Sequence, residues 1–191
     1  MHYLKFIDRV GFIFLLFRQI LNSITGFPPI ADKSAEILIL GSMPSDASLV
    51  KQQYYGHQRN AFWPIMLTIF NKSVDMPYKQ RQQLLINNNI AVWDVLQSCT
   101  REGSLDAAIK MESIKINDFQ LFFNQHPKLK TICFNGSKAE TIYKKHVLPT
   151  VKNNFSHLQY SKLPSTSPAY AAMSSQQKYV IWSNTVTSRS I

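Results

Sequence analysis

Aromatic and polar side chains able to bind a ligand are concentrated in one stretch, directly after a short apolar run. The run is Ile37–Leu40, and a tight turn, Gly41–Ser45, follows it. Beyond the turn the chain is rich in rings and polar groups, from Tyr54 to Trp63. An apolar run that ends in Gly and Ser is typical of a buried parallel strand, and in open α/β sheets ligands bind beyond the carboxyl ends of such strands. We therefore expect the chemistry of this protein at the turn and in the loop after it.

Two further loops are expected at the same edge of the sheet, because each of them also follows a strand. The three loops are 41–63, 93–98 and 163–171, and the first and last share a Pro-Ser step, Pro44-Ser45 and Pro164-Ser165. Proline stiffens a loop, and hydroxyls with backbone N–H groups bind phosphates. The loops contain no G-x-S-x-G elbow, no Walker loop and no H-E-x-x-H motif, so the sequence lacks the patterns of those enzyme classes.

Strands that alternate with helices indicate a parallel sheet covered by helices on both faces. Apolar runs bounded by turn residues predict strands at 36–40, 90–95, 130–135 and 157–163. Periodicity and capping residues predict helices at 62–70, 76–86, 104–110, 117–124 and 174–182, with another that begins at Ser137. Ser137 and Glu140 have the spacing of a capping box.

The charge balance favours a polyanionic partner. The chain has 21 Lys and Arg against 11 Asp and Glu, a net charge of +10. This favours nucleic acid first and an anionic membrane second, and a basic but unspecialised surface is the simpler alternative. Cys99 and Cys133 are too few for a structural zinc site or a four-cysteine iron–sulfur cluster, so no metal site is expected. A reduced, intracellular compartment follows from the same two thiols.

Residues 1–25 are interpreted as an N-terminal extension of unknown role, and residues 26–191 as a single domain. The run 10–17 is apolar but too short to span a bilayer, and Arg18 follows it directly. No A-x-A cleavage pattern is present. We interpret the extension as an amphipathic helix or a segment outside the core, with contact to a membrane surface as the weaker alternative. The helix-breaking segment 26–29 separates it from the domain.

Several motifs together resemble the uracil-DNA glycosylase superfamily, and specifically its hypoxanthine-DNA (deoxyinosine) glycosylase branch. The match extends from about Phe27 to about Trp182, and the combination is specific although each motif alone is not. The matching motifs are GSMPSDASL at 41–49, QYYGHQRNAFWPIM at 53–66, WDVLQSC at 93–99, GSLD at 103–106, NDF at 117–119, FNGSKAE at 134–140 and LPSTSPAYA at 163–171.

The resemblance implies a three-layer α/β/α sandwich with a central four-stranded parallel sheet and DNA bound across the carboxyl ends of the strands. It implies hydrolysis of the N-glycosidic bond of a flipped deaminated base, hypoxanthine in the first place, without a metal or other cofactor. Uracil or xanthine as substrate, and a non-catalytic protein that binds damaged DNA, are the alternatives. The expected partner is double- or single-stranded DNA. We expect a monomeric, monofunctional glycosylase in the cytoplasm, associated with the nucleoid through DNA.

One departure from the family concerns the attacking water. Other branches carry Asp or Asn at the third position of the first motif to orient it, and here that position is Met43, whose thioether cannot. The amide oxygen of Asn60 can accept a hydrogen bond from water. Asn60 also lies in the register of an N-x-F-W element in the mismatch-specific uracil branch. We therefore assign water positioning to Asn60, and its alternative role is to cap the helix at 62–70.

The same register places Tyr55 where an aromatic ring stacks on the extruded base. Its alternative is a tyrosine of the core or rim. Asp94 ends a predicted strand, and its carboxylate is suited to accept N1–H of hypoxanthine. Its alternatives are a helix cap and a partner for Arg101. Ser42 and Met43 complete the residues assigned to base binding.

A second departure is Leu163, which occupies the position of a His that stabilises the departing base in several branches. We therefore expect uracil to be removed poorly. The residues assigned to DNA binding are Ser45, His57, Arg59, Lys138, Ser165, Thr166 and Ser167.

Overall fold

Two sheets and a set of helices make up the computed structural model, which describes residues 23–187. Within these residues the strands are β1 (Ser23–Thr25), β2 (Ile37–Gly41), β3 (Ile90–Asp94), β4 (Leu96–Thr100), β5 (Lys115–Ile116), β6 (Thr131–Asn135) and β7 (Gln159–Leu163). The helices are α1 (Asp46–Lys51), α2 (Phe62–Ile69), α3 (Tyr78–Asn87), α4 (Phe119–Gln125), α5 (Ser137–His146), α6 (Leu148–Val151) and α7 (Ser175–Thr187).

The central sheet is parallel and has four strands in the order β3-β2-β6-β7. Strands β2, β3 and β6 are largely apolar because both of their faces are covered, and Leu38, Ile39 and Leu40 of β2 are fully buried, whereas the edge strand β7 is mostly polar and exposed. The register pairs Leu40 with Trp93 on one side and with Phe134 on the other. The predicted α/β fold with a central parallel sheet of four strands is confirmed.

Aromatic side chains carry much of the contact between the sheet and its helices. Trp93 packs against Phe119 and Phe122 of α4, with ring centroids 5.2 and 4.9 Å apart. Phe134 packs against Tyr143 of α5 at 5.2 Å. Since Trp93 and Phe134 are both register neighbours of Leu40, they lie on the same face of the sheet, and α4 and α5 cover that face.

A second, antiparallel sheet in the order β1-β4-β5 was not predicted. The segment predicted as the loop 93–98 instead contains the start of β4, which pairs with β1 through Ile24 opposite Cys99. Only Val95 separates β3 from β4, so the sequence reads as one apolar run although the chain changes sheets there. Ser23–Thr25 thus pairs within the fold, and residues 1–22, including the apolar run 10–17, lie outside the described part of the chain.

Some helix starts also differ from the sequence-based expectations. The segment expected as a helix at 104–110 forms a 3-10 turn at Asp106–Ala108. The cap of α4 is Asp118, whose carboxylate accepts from the Leu121 amide at 2.9 Å. The expected capping box at Ser137 is absent, because α5 begins after Gly136 without a side-chain cap. Within residues 23–187 no helix is long and apolar enough to cross a membrane.

Candidate active site

A cleft of about 320 Å³ lies at the carboxyl edge of the central sheet. Its walls come from the segment after β2, the ends of β3 and β6, and the loop after β7. This edge collects the ends of strands that lie far apart in the chain, because parallel strands all finish on the same side. The predicted loops 41–63 and 163–171 therefore meet at this edge, and of the segment 93–98 only Asp94, at the end of β3, lines the cleft.

Most of the residues assigned from the sequence line this cleft. The exceptions are two basic residues at its side. His57 lines a neighbouring cavity with Lys51 and Arg81, and the exposed Arg59 lines neither cavity. The assigned residues that line the cleft are Ser42, Met43, Ser45, Tyr55, Asn60, Asp94, Lys138, Ser165, Thr166 and Ser167.

Asn60 lies just before α2, and its side chain accepts a hydrogen bond from the first residue of this helix. Its Oδ1 accepts a hydrogen bond from the Phe62 amide at 2.9 Å. This bond satisfies one of the unpaired N–H groups in the first turn of a helix. Ala61 is the N-cap residue of α2 and makes no side-chain cap bond, so Asn60 supports the helix start from the position before the N-cap. An amide oxygen has two lone pairs, so the same atom can also accept from a water in the cleft.

Tyr55 combines an unusual backbone with a buried hydroxyl. Its φ is 55°, in the left-handed region, and its ring stacks on Phe62 with centroids 3.9 Å apart. The hydroxyl is buried without a hydrogen-bond partner among the described residues. Burial first, and then the nearby Asp94 carboxyl, raises the pKa of this phenol. Phe62 covers one face of the ring, and Tyr55 is one of the residues that line the cleft.

Asp94 ends β3 and places a carboxyl group at the floor of the cleft. The residue is only 3% exposed, and no described residue is hydrogen-bonded to its buried Oδ2. Its Oδ1 occupies the space where a side chain on Gly41 would begin, which explains the glycine at that position of β2. Burial, and then the charge of Asp106, raises the pKa of Asp94 to about 8, against a smaller lowering by Arg101.

Arg101 is close to this carboxyl group but is bound elsewhere. Its Nε donates to the Gly103 carbonyl at 2.6 Å, and Nη2 donates to the Pro44 carbonyl at 2.7 Å. Nη2 also lies 3.3 Å from Asp46 Oδ1. The alternative in which Arg101 forms an ion pair with Asp94 is therefore not found. Its buried guanidinium instead fixes the turn after β2 to the segment after β4.

Asp106 is a cleft residue that the sequence analysis did not single out. Its Oδ1 accepts a hydrogen bond from the Ser42 hydroxyl at 2.6 Å, between residues 64 positions apart in the chain. Burial raises the pKa of Asp106, while this bond and the charges of Arg101 and Lys138 lower it. The GSLD motif contained the residue, but only the folded chain brings it opposite Ser42.

Asn135, at the end of β6, was also missed. Its Nδ2 donates to Thr166 Oγ1, and its Oδ1 accepts from the Thr166 amide, both at 2.8 Å. The Thr166 carbonyl accepts from the Ala61 amide at 3.0 Å. Thr166 is 1% exposed, so its hydroxyl is used inside the protein. Ser165 and Ser167 are the more exposed hydroxyls of this loop.

Within residues 23–187 no group of three or more His, Cys, Asp or Glu side chains is arranged to hold a metal ion. The polar groups of the cleft are two carboxyls, two amides, several hydroxyls and one lysine. They can hydrogen-bond a heterocyclic base and hold a water molecule beside it.

Comparison with known proteins agrees with this arrangement. The family model of the uracil DNA glycosylase superfamily matches residues 28–184. A hypoxanthine DNA glycosylase of Methanosarcina acetivorans is 47% identical over 115 residues, which cover 60% of this chain and 72% of that protein. A hypoxanthine DNA glycosylase of Methanosarcina barkeri is 44% identical over 115 residues, which cover 60% of this chain and 72% of that protein.

A solved structure shows the same fold. The solution NMR structure of a candidate uracil DNA glycosylase from Methanosarcina acetivorans superimposes with a TM-score of 0.71 and 38% identity. The match covers 86% of this chain and 96% of that one. Sequence, fold and the position of the cleft therefore lead to one conclusion: the chain belongs to the uracil DNA glycosylase superfamily.

Proposed function

We propose that this protein is a monofunctional DNA glycosylase that removes hypoxanthine from deoxyinosine and leaves an abasic site. The observation that carries the proposal is a base-sized cleft at the strand ends with the buried Asp94 carboxyl beside the Tyr55 ring. Its volume of about 320 Å³ is at the lower end of the range for small-ligand sites. The two Methanosarcina relatives that carry the name hypoxanthine DNA glycosylase support the choice of substrate.

The target base enters this cleft by leaving the duplex. Enzymes that act on a base rotate its nucleotide out of the stack, and this requires less free energy when pairing is already weakened, as it is for a deaminated base. Tyr55 stacks on the extruded base from the side of its ring opposite Phe62. Met43, 7% exposed in the cleft wall, contributes an apolar contact.

The edge of the base is recognised by polar groups at the strand ends. Hypoxanthine presents N1–H as a donor and O6 as an acceptor, and we infer that the Asp94 carboxyl, which lines the cleft, accepts the former. The Ser42 hydroxyl donates to Asp106, so in this arrangement it does not donate to the base.

Hydrolysis requires a water molecule beside C1′ of the flipped nucleotide, and Asn60 holds it. The C1′–N9 electron pair passes to the base, the sugar develops oxocarbenium character, and the water oxygen bonds to C1′. Overall the water loses one proton and the departing base gains one. An amide cannot remove a proton from water, so the rate enhancement arises from positioning and from the phosphate charges near the sugar cation.

Leu163 does not line the cleft and offers the departing base no hydrogen bond. It is 2% exposed and has no polar atom in its side chain, so it cannot stabilise a departing uracil anion. Slow release of uracil is therefore expected.

The DNA backbone is bound by charge and by the loops around the cleft. The net charge of +10 attracts the duplex. Ser45, Ser165, Ser167 and Lys138 line the cleft, and His57 with Arg59 lies beside it. We infer that the protein acts on DNA as a monomer in the cytoplasm, where it is associated with the nucleoid.

Single-lesion duplexes test the function. Duplexes that carry hypoxanthine, uracil, xanthine or no lesion are compared under single-turnover conditions, with alkali added afterwards to cut abasic sites. We expect alkali-dependent cleavage that is fastest for hypoxanthine, and none without alkali. Equal or faster uracil release would overturn the substrate assignment. Selective binding of the lesion without release of any base would show a damage-binding protein instead.

A further inference from the structure

The cleft contains a buried carboxyl group that lacks a hydrogen-bond donor. We propose that Asp94 works in its neutral, protonated form, in which its O–H donates a hydrogen bond to O6 of the flipped base and stabilises the charge that this base acquires on leaving. Asp106 is the positioning residue that keeps Asp94 in this form. This inference rests on the proposed removal of hypoxanthine. It adds to that function the protonation state of Asp94 and a positioning role for Asp106.

The surroundings of Asp94 do not suit a carboxylate. Oδ2 is buried, and among the described residues neither a backbone N–H nor a side chain donates a hydrogen bond to it. An ionised carboxylate without a donor or a cation is strongly destabilised by the loss of hydration. Asp106, by contrast, has the Ser42 hydroxyl on its Oδ1 at 2.6 Å. The two carboxyls of the cleft are therefore unequal, and Asp94 is the one disposed to retain a proton.

The charged groups around Asp94 come from the segments on either side of it. Asp106, in the 3-10 turn after β4, opposes a negative charge on Asp94. Arg101, directly after β4, favours that charge; its Nε and Nη2 are bound to two backbone carbonyls and to Asp46, whereas its buried Nη1 has no hydrogen-bond partner among the described residues. Burial raises the pKa of Asp106, and the Ser42 hydrogen bond, Arg101 and Lys138 partly oppose this rise. Burial remains the largest effect, and the pKa of Asp94 rises to about 8.

Two phenols face the same carboxyl from the segment after α1. The pKa of Tyr54 and the pKa of Tyr55 are both raised, by burial first and then by Asp94. Both rings therefore stay neutral through the physiological range and place no charge beside Asp94. With its neighbours in these states, Asp94 is predominantly neutral at pH 7.

A neutral carboxyl matches the edge of hypoxanthine with two hydrogen bonds once the Asp94 side chain rotates to bring its buried Oδ2 to the base. Its carbonyl oxygen accepts N1–H, and its O–H donates to O6. A carboxylate would accept N1–H but would direct a second negative oxygen toward O6. As the C1′–N9 bond breaks, negative charge spreads over the base onto O6, so the donated bond strengthens in the transition state. Leu163 supplies no such donor, and Asp94 takes this role.

The pH dependence of base release tests the proposal. Single-turnover rates on the hypoxanthine duplex are measured below saturation from about pH 6 to about pH 9.5, which reports ionisations of the free enzyme. For the unmodified protein we expect a plateau that declines about tenfold per pH unit above a midpoint near 8. A plateau that continues unchanged to the highest pH would overturn the proposal.

Asp94→Asn tests whether Asp94 is the group whose ionisation causes the decline in rate at alkaline pH. The amide keeps an N–H donor and a C=O acceptor but cannot ionise. We expect a slower rate at neutral pH, because an amide N–H is a weaker hydrogen-bond donor than a carboxyl O–H. We also expect that the decline caused by ionisation of Asp94 at alkaline pH is absent from this variant. Ionisation of N1–H of the substrate base would lower the rates of the unmodified protein and of Asp94→Asn alike. A decline in Asp94→Asn that coincides with that of the unmodified protein would assign it to another group and refute the role of Asp94.

Asp106→Asn tests the positioning residue. The amide oxygen still accepts from Ser42, but the neighbouring negative charge is gone, so the pKa of Asp94 falls and the decline moves to lower pH. An unchanged midpoint would refute the role of Asp106, since a purely structural role would not move it. Melting temperatures confirm that both variants are folded. Failure of the unmodified protein to release hypoxanthine at any pH would instead refute the proposed function.

Discussion

The Asn60 side chain meets two requirements at once, and a pair of substitutions can separate them. Its Oδ1 bonds the Phe62 amide at 2.9 Å, at the start of α2, and the residue also lines the cleft. Asn60→Ala removes both the helix bond and the proposed contact with water. Asn60→Ser keeps a short side chain whose hydroxyl can still accept from a nearby backbone N–H, but it withdraws the amide from the cleft.

The two effects differ in magnitude. Loss of one hydrogen bond that caps a helix lowers the free energy of unfolding by about 1 kcal/mol. For a domain of this size that corresponds to a fall in Tm of about 2–4 °C. Loss of one well-placed polar group from an active site lowers the rate by about 10²–10³-fold. A fold with a stability of about 5–15 kcal/mol stays almost entirely folded after the loss of 1 kcal/mol. Reduced stability therefore cannot explain a loss of rate of that size.

The assay measures both quantities on one preparation of each protein. Tm is followed by circular dichroism, and base release is followed under single-turnover conditions on the hypoxanthine duplex. We expect Asn60→Ala to lose stability and activity, and Asn60→Ser to lose activity with less change in Tm. Lesion binding should survive in both variants.

The result that would refute this reasoning is an active Asn60→Ala. If the rate per folded molecule is nearly unchanged while Tm falls, Asn60 is a helix cap only. The attacking water would then be held by other groups, such as the backbone of the turn after β2.

Two further predictions concern DNA affinity and the loop after β7. Binding to an undamaged duplex should weaken as salt rises, with a log–log slope of about −0.9 for each phosphate neutralised, and a flat plot would contradict the electrostatic account. Gly136→Ala should lower both Tm and the rate of base release, because Gly136 has a φ of 96° and its added Cβ would lie 2.9 Å from Cβ of Ser165. Gly103→Ala is the matched control, since Gly103 also has a positive φ of 68° but open space around it, and an equal loss of activity in both variants would show that the contact with Ser165 is irrelevant.

Strands β2, β3 and β6 of the central sheet were predictable because a strand that is buried on both faces is a largely apolar run in the sequence. Ile37–Gly41 differs by one residue at each end from the predicted run at 36–40. The meeting of the loops followed from topology alone, since parallel strands with helical crossovers end on one side. Residues that were assigned to the site because they follow strands at this edge of the sheet, such as Asn60 and Asp94, accordingly line one cleft.

Pairings between distant segments could not be predicted. The bond between Ser42 and Asp106 joins residues 64 positions apart, and neither local pattern indicates the other. The antiparallel sheet was missed because β3 and β4 are separated by a single residue, so no turn signal marks the change. Thr166 was assigned to DNA as a hydroxyl in a polar loop, whereas its partner Asn135 becomes apparent only when β6 and the loop after β7 lie side by side.

The hydrogen bonds that join Asn135, Thr166 and Ala61 have a consequence for how the enzyme searches DNA. They connect the end of β6, the loop after β7 and the residue next to Asn60 into one unit before any ligand arrives. The conformational entropy of ordering these segments is therefore lost during folding and not during each encounter with DNA. Because the site is ordered before DNA binds, it does not change shape around a normal base. Discrimination between normal and damaged bases therefore depends on whether the nucleotide can distort to fit the cleft. Sampling of many sites can then be brief, because a base that does not fit leaves without any rearrangement of the protein.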